Sequence, residues 1–120
     1  MEKADILIVE DDTDIRDALT EILQSEGYAI AGVTNGREAL DYLRSHPSPK
    51  LILLDLMMPV MNGGEFRLEQ KSDANLAKIP VFILSAANED RHREEISDVQ
   101  GFLKKPLHLE SLLKAVRQYC

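Results

Sequence analysis

Asp55 closes the aliphatic half of the run LILLDLMMP (51–59), and other apolar runs also stop on groups that could do chemistry. ILIV (6–9) leads into Glu10-Asp11-Asp12, PVFIL (80–84) into Ser85, and GFL (101–103) into Lys104-Lys105-Pro106. If these runs are parallel strands of one sheet, their carboxyl ends share an edge, which is where ligand sites form in open α/β folds. Three of these carboxylates, the hydroxyl and one lysine would then converge. Crowded carboxylates repel and raise one another's pKa unless a cation sits among them, and hard oxygen donors with room for water suit Mg²⁺ or Mn²⁺. A carboxylate beside such an ion and a lysine is a poor proton donor but a usable oxygen nucleophile toward phosphorus, because both cations neutralise charge on the phosphoryl oxygens.

The elements that must position these groups are legible as two alternating kinds of segment. ILIV (6–9), YAIAGV (28–33), LILL (51–54), PVFIL (80–84) and GFL (101–103) are short apolar runs, with helical patterns between them. Such alternation implies a parallel sheet covered on both faces. Ile15, Ala18, Leu19, Ile22 and Leu23 recur at helical spacing, and Gly27 ends that helix. A second helix is expected from Asn35 or Gly36 to Ser45, burying Ala39, Leu40 and Leu43 and stopped by His46-Pro47. A third follows Asn62-Gly63-Gly64 and carries Phe66 and Leu68. A last one runs from Leu109 to about Tyr119, presenting Leu109, Leu112, Leu113 and Val116. Between them, residues 88–100 (NEDRHREEISDVQ) offer only Ile96 and Val99 as apolar anchors, so a helix there is expected to be short or irregular.

Composition narrows the function classes. At 120 residues the chain fits one domain, 1–120, able to bury roughly two-thirds of its unfolded surface. A net charge of −7 argues against a nucleic-acid surface, since phosphate backbones are held by clustered Lys and Arg. Five acids fall between residues 10 and 17, namely Glu10, Asp11, Asp12, Asp14 and Asp17. The single cysteine, Cys120, excludes an internal disulfide and sits wrongly for a prenylation box. No window approaches a membrane span, and a cytoplasmic location is expected.

Together these residues resemble the receiver domain of two-component response regulators. ILIVEDD, LILLDLMMPVMNG, VFILSA and GFLKKPL occur in that family's order and approximate spacing over essentially the whole chain. The resemblance implies a flavodoxin-like, doubly wound, five-stranded parallel sheet of order 2-1-3-4-5 with five helices, the fourth short or irregular. It implies Asp55 as phospho-acceptor and metal ligand, Asp11 as a direct metal ligand, Glu10 as a ligand through water, and the backbone carbonyl of Met57 as a further ligand. Lys105 would contact the phosphoryl group, with the Lys105–Pro106 peptide cis. Ser85 and Phe102 would be the switch pair that turns toward the phosphorylated site, and Pro59 and Gly63 the turn positions of the following loop. The implied donor is a histidine kinase or histidine phosphotransfer protein. The implied output is a downstream protein or fused domain, or a phosphorylation-dependent homodimer, with no nucleic acid or membrane bound by this domain. Such a domain assists only its own phosphorylation and dephosphorylation and is not otherwise an enzyme.

Several residues also have plainer readings. Asp12 and Asp14 suit the amino end of a helix, where they interact with free amides and the dipole. Lys104 reads as a surface lysine, Met57 and Met58 as core filler, and Phe102 alternatively as a static core ring. His46, His92 and His108 lack metal-ligand spacing and are expected to face solvent. The stretch from Ser85 to Lys105 is slightly shorter than in chemotaxis receivers. Met57 and Ala87, at positions that tune hydrolysis in the family, cannot orient water, so slow self-dephosphorylation is expected. Two alternatives differ in class: a degenerate receiver used only for protein binding, and a haloacid-dehalogenase-type phosphatase built on Asp12-Thr13-Asp14.

Overall fold

The computed structural model describes residues 3–56, 58–85, 99–105 and 107–120. In chain order the elements are β1 (Ile6–Val9), α1 (Thr13–Ser25), β2 (Ile30–Val33), α2 (Gly36–Ser45), β3 (Leu51–Asp55), α3 (Gly63–Ser72), β4 (Val81–Ser85), β5 (Gly101–Lys104) and α4 (Leu109–Tyr119). The strands form one parallel sheet of order β2-β1-β3-β4-β5, the doubly wound arrangement of the flavodoxin-like fold. Among the described residues there are four helices. The further helix expected at 88–100 falls largely on residues outside them.

The period of two along each strand sorts the core into two layers. Leu7, Val9, Ile52, Leu54, Val81 and Ile83 point to one face, where Ala39, Leu40 and Leu43 of α2 and Phe66 of α3 cover them. Ile6, Ile8, Leu51, Leu53, Phe82 and Leu84 point to the other, beneath Leu19 and Leu23 of α1 and Leu112, Leu113, Ala115 and Val116 of α4. β1, β3 and β4 are therefore buried on both sides, which is why they read as unbroken aliphatic runs.

Side-chain caps fix where the first three helices begin. Asp12 Oδ1 accepts from the Ile15 amide at 3.1 Å and Asn35 Oδ1 from the Glu38 amide at 2.9 Å. Asn62 and Glu65 form a reciprocal capping box. Gly27, at φ +96°, turns the chain out of α1 in the left-handed conformation a side chain would strain.

Three expected inward positions are corrected. On α3 the cap at Asn62 sets the inward face to Gly63, Phe66, Arg67 and Gln70, so Leu68 lies outside it and is 72% exposed. The polar pair is accommodated because Gln70 Oε1 accepts from Arg67 Nη1 at 2.8 Å. Gln70 Nε2 donates to the carbonyls of Leu76 and Ile79, closing the turn before β4. Leu109, the first residue of α4, and Ala18 of α1 are likewise exposed, off the stripes formed by Leu112, Leu113 and Val116 and by Leu19 and Leu23.

Candidate functional site

The polar strand ends meet at the carboxyl edge of the sheet. Glu10 directly follows β1 and is fully buried; its amide donates to Val33 O of β2 at 3.1 Å. Asp55 ends β3 and is 3% exposed. Ser85 ends β4, one residue past the Asp55–Leu84 pairing, with its hydroxyl buried and without a hydrogen-bond partner among the described residues. Lys105 follows β5 and is tied down by its own amide, which donates to Ser85 O at 2.8 Å.

From there the lysine reaches both acids. Its ammonium hydrogen-bonds Asp55 Oδ1 at 3.2 Å and lies 2.9 Å from Glu10 Oε1 as an ion pair without hydrogen-bond alignment. Asp11, exposed at the rim, completes a set: Glu10, Asp11 and Asp55 each offer a carboxylate oxygen within 4.8 Å of the others.

Backbone packing holds Asp55 in place. A Cβ on Gly63 would sit 2.6 Å from the Asp55 carbonyl, so only glycine lets the start of α3 come this close. The Gly63 amide donates to Leu56 O, and the Gly36 amide of α2 to Met61 O, bracing the returning loop from two sides.

Charge at the site is unbalanced. Burial first, then the adjoining Glu10 carboxylate, push the Asp55 carboxyl up to about 8, against the opposing pull of Lys105. Burial works against the Lys105 charge, but Glu10 and Asp55 outweigh it and the ammonium's pKa is raised. Two dry acids thus share one lysine, a deficit of positive charge that a hard divalent cation on the three carboxylates would remove. The donors are all oxygen, and one stands open to water, which fits such an ion.

The sequence pattern of the response regulator receiver domain matches residues 6–117. The chain belongs to that family. It is 33% identical to the alkaline phosphatase synthesis transcriptional regulatory protein SphR of Synechococcus elongatus, over 93% of this chain but only 47% of that one. It is 30% identical to the polar-differentiation response regulator DivK of Brucella anthropi, over 95% of this chain and 94% of that one. Among solved structures, the signal receiver domain of a signal transduction histidine kinase from Syntrophus aciditrophicus superposes with a TM-score of 0.86. There the identity is 34%, covering 97% of this chain and 89% of that chain. The receiver therefore spans about half of one regulator and nearly all of another. Receivers of this family are phosphoryl-accepting signalling switches of two-component systems.

Measured against the sequence expectations, the receiver fold brings Glu10, Asp11, Asp55, Ser85 and Lys105 to one edge. Phe102 is half-buried on β5, against the α2/α3 side of the core. Met57, Ala87, Pro106 and hence the Lys105–Pro106 peptide lie outside the described residues, as does His92. Asp12 is spent on the α1 cap, Asp14 is an exposed first-turn acid, and Lys104 is exposed. His46 departs from expectation: it is half-buried, its ring stacked at 4.0 Å on Tyr42, one turn back along α2, whose carbonyl lies 3.1 Å from His46 Nδ1. No helix among the described residues is long and apolar enough to cross a membrane.

Sequence reasoning missed Arg16, whose Nη1 donates to Glu10 O at 2.7 Å. A signal existed in Gly32, since a glycine inside a strand often marks close approach by another group.

Proposed function

We propose that Asp55 is the phospho-acceptor of this receiver and that Glu10 and Asp11 hold Mg²⁺ beside it, with Mn²⁺ able to substitute. The observation that carries this reading is the Lys105 ammonium bridging Glu10 and Asp55 within reach of a third carboxylate. Asp11 is the direct ligand and Glu10 acts through water, with the Met57 carbonyl as the further protein ligand and the Lys105–Pro106 peptide cis. Bound Mg²⁺ would supply the positive charge that lets Asp55 ionise at neutral pH and that offsets charge on a phosphoryl group.

The donor is a phosphohistidine on a histidine kinase or histidine phosphotransfer protein. Its P–N bond breaks as a P–O bond to the Asp55 carboxylate forms, and the electron pair returns to the imidazole. Lys105, already on Asp55 Oδ1, stays with the transferred group as a positioned charge. The buried Ser85 hydroxyl, without a partner among the described residues, donates to a phosphoryl oxygen. Phe102 packs inward with it, and that conformer is the one the output partner prefers. The partner is a downstream protein, a fused output domain or a second phosphorylated copy. The unit 1–120 acts as one receiver in the cytoplasm, turning over no substrate but its own aspartyl phosphate, and slowly, because Met57 and Ala87 cannot guide water. The phosphatase alternative loses support because Asp12 caps α1 instead of facing the strand-end cluster.

Intact-protein mass spectrometry after incubation with acetyl phosphate tests this, with and without Mg²⁺, on the wild type and Asp55→Asn. One Mg²⁺-dependent phosphoryl adduct, absent from the variant, is expected. No adduct on folded, Mg²⁺-loaded protein would overturn the reading in favour of a receiver that only binds partners.

A further inference from the structure

Arg16 stands one turn into α1, half-buried, and reaches back across the edge of the sheet. Its Nη1 donates to Glu10 O at 2.7 Å. Its stem lies over Gly32 of β2, where a Cβ would come within 3.2 Å of Arg16 Cδ and 3.4 Å of Cγ. Glycine there leaves a trough that the arginine stem occupies. Because the Glu10 amide is already bound to Val33 O, the arginine completes the hydrogen bonding of both backbone groups of Glu10. The Val9–Glu10 peptide is thus held from β2 through its N–H, and the Glu10–Asp11 peptide from α1 through its carbonyl.

That matters most for Asp11. The Glu10 side chain is fully buried and has Lys105 to direct it. Among the described residues no hydrogen bond directs the exposed Asp11 carboxylate, so its aim is inherited from its peptide. We propose that Arg16 is a positioning residue for the divalent-ion site, fixing through the Glu10 carbonyl the peptide that points the Asp11 carboxylate at Glu10 and Asp55. This inference rests on the reading of those three acids as the ion site.

A competing effect has the opposite sign, which makes the proposal decidable. If Arg16 acted only as a nearby charge, removing it would leave the acids more negative and tighten cation binding. The charges acting on Asp55, however, are Glu10 and Lys105. Arg16 acts on Glu38, whose carboxyl is held below its usual range chiefly by Thr34 and to a lesser degree by the arginine. The guanidinium meets the site through its 2.7 Å hydrogen bond to the Glu10 backbone.

The test titrates Mn²⁺ into the unphosphorylated protein and follows free ion by its electron paramagnetic resonance signal. Arg16→Met should weaken binding by about ten-fold, the size typical when an outer partner of a metal ligand is lost. Arg16→Lys, which keeps the charge and a donor, should recover part of it. Gly32→Val, at an exposed edge-strand position where β-branching suits the backbone, keeps the arginine but fills its trough. It should weaken binding as well, with little further loss when combined with Arg16→Met. Acetyl phosphate labelling of Arg16→Met should return toward the wild-type rate once Mn²⁺ saturates, a change in ion requirement and not in the transfer step. Wild-type or tighter affinity in Arg16→Met, or in Gly32→Val should the first variant not fold, overturns the proposal. Absence of ion binding by the wild type would instead sink the underlying site assignment.

Discussion

Two carboxylate–lysine pairs tie strands together at opposite ends of this sheet, and they have opposite characters. At the amino end, Asp5 accepts from the Ala29 amide through Oδ2 at 2.9 Å and faces Lys50 at 3.7 Å through Oδ1. Both partners reach solvent, and one acid has one lysine and one amide. At the carboxyl end, Asp55 and Glu10 are buried and share Lys105. The first arrangement has its charges balanced and wetted, so it can only hold strands together. The second leaves negative charge uncompensated in a dry place, which suits it to the cation and the chemistry proposed for it. The same two residue types give a staple or a site according to burial and to one extra carboxylate.

The sharpest break between the two ends is chemical. Asp55→Asn should abolish the phosphoryl adduct formed from acetyl phosphate and Mg²⁺, whereas Asp5→Asn should leave its yield unchanged, both read by intact mass. Loss of the adduct in the Asp5 variant would show that the ends are not independent.

The next difference is in stability. An ordinary Asp loses its proton near pH 3.8, but in the folded, metal-free receiver Asp55 keeps it to about 8. Between those values the unfolded chain binds fewer protons than the folded one, so stability falls as pH rises. The full shift corresponds to roughly 6 kcal/mol, and water entry and sharing of Lys105 should leave a decline of about 3 kcal/mol between pH 4 and pH 8. Urea unfolding in a chelator across that range should show it. The slope should flatten in Asp55→Asn and with saturating Mg²⁺; a metal-free wild type equally stable at both ends of the range would contradict the uncompensated-charge picture.

A smaller loss comes from the backbone under the site. Gly63→Ala would place a methyl 2.6 Å from the Asp55 carbonyl, and the shift this forces should cost about 2 kcal/mol by thermal or urea unfolding. It should also slow labelling of Asp55, because the displaced strand end carries the proposed nucleophile. Unchanged labelling with reduced stability would mean that the loop, and not Asp55, absorbs the strain.

Much of this was legible in the sequence because it is written in local periodicity and in family motifs. Unbroken aliphatic runs announce strands buried on both faces, and the strand-end residues Glu10, Asp11, Asp55, Ser85 and Lys105 follow from the winding of the sheet. What escaped depends on packing across the chain. Leu68 reads as a core residue until the Asn62 cap sets the phase of α3 and gives its inward positions to Arg67 and Gln70. Those two can be buried only because the carbonyls of Leu76 and Ile79 wait for Gln70, a contact no spacing rule foresees. His46 is the local exception: as the C-cap of α2 it lies one turn after Tyr42 and stacks on that ring instead of facing solvent. Arg16 was legible only in retrospect through Gly32.

The smallest effect belongs to the other end of the sheet. Lys50→Ala removes an ion pair whose lysine is about half exposed, and such pairs are worth about 0.5 kcal/mol because water screens the charges and ordering long side chains costs entropy. Asp5 would still accept from the Ala29 amide, and its carbonyl would still receive the Lys50 and Leu51 amides, none of which depends on the lysine side chain. The variant should therefore unfold within about 0.5 kcal/mol of the wild type, lose even that difference in high salt, and label with acetyl phosphate normally. A loss of several kcal/mol that persists in salt would mean that the amino-end pair is shielded from water like the Lys105 cluster, and the contrast between a wetted staple and a dry site would fail.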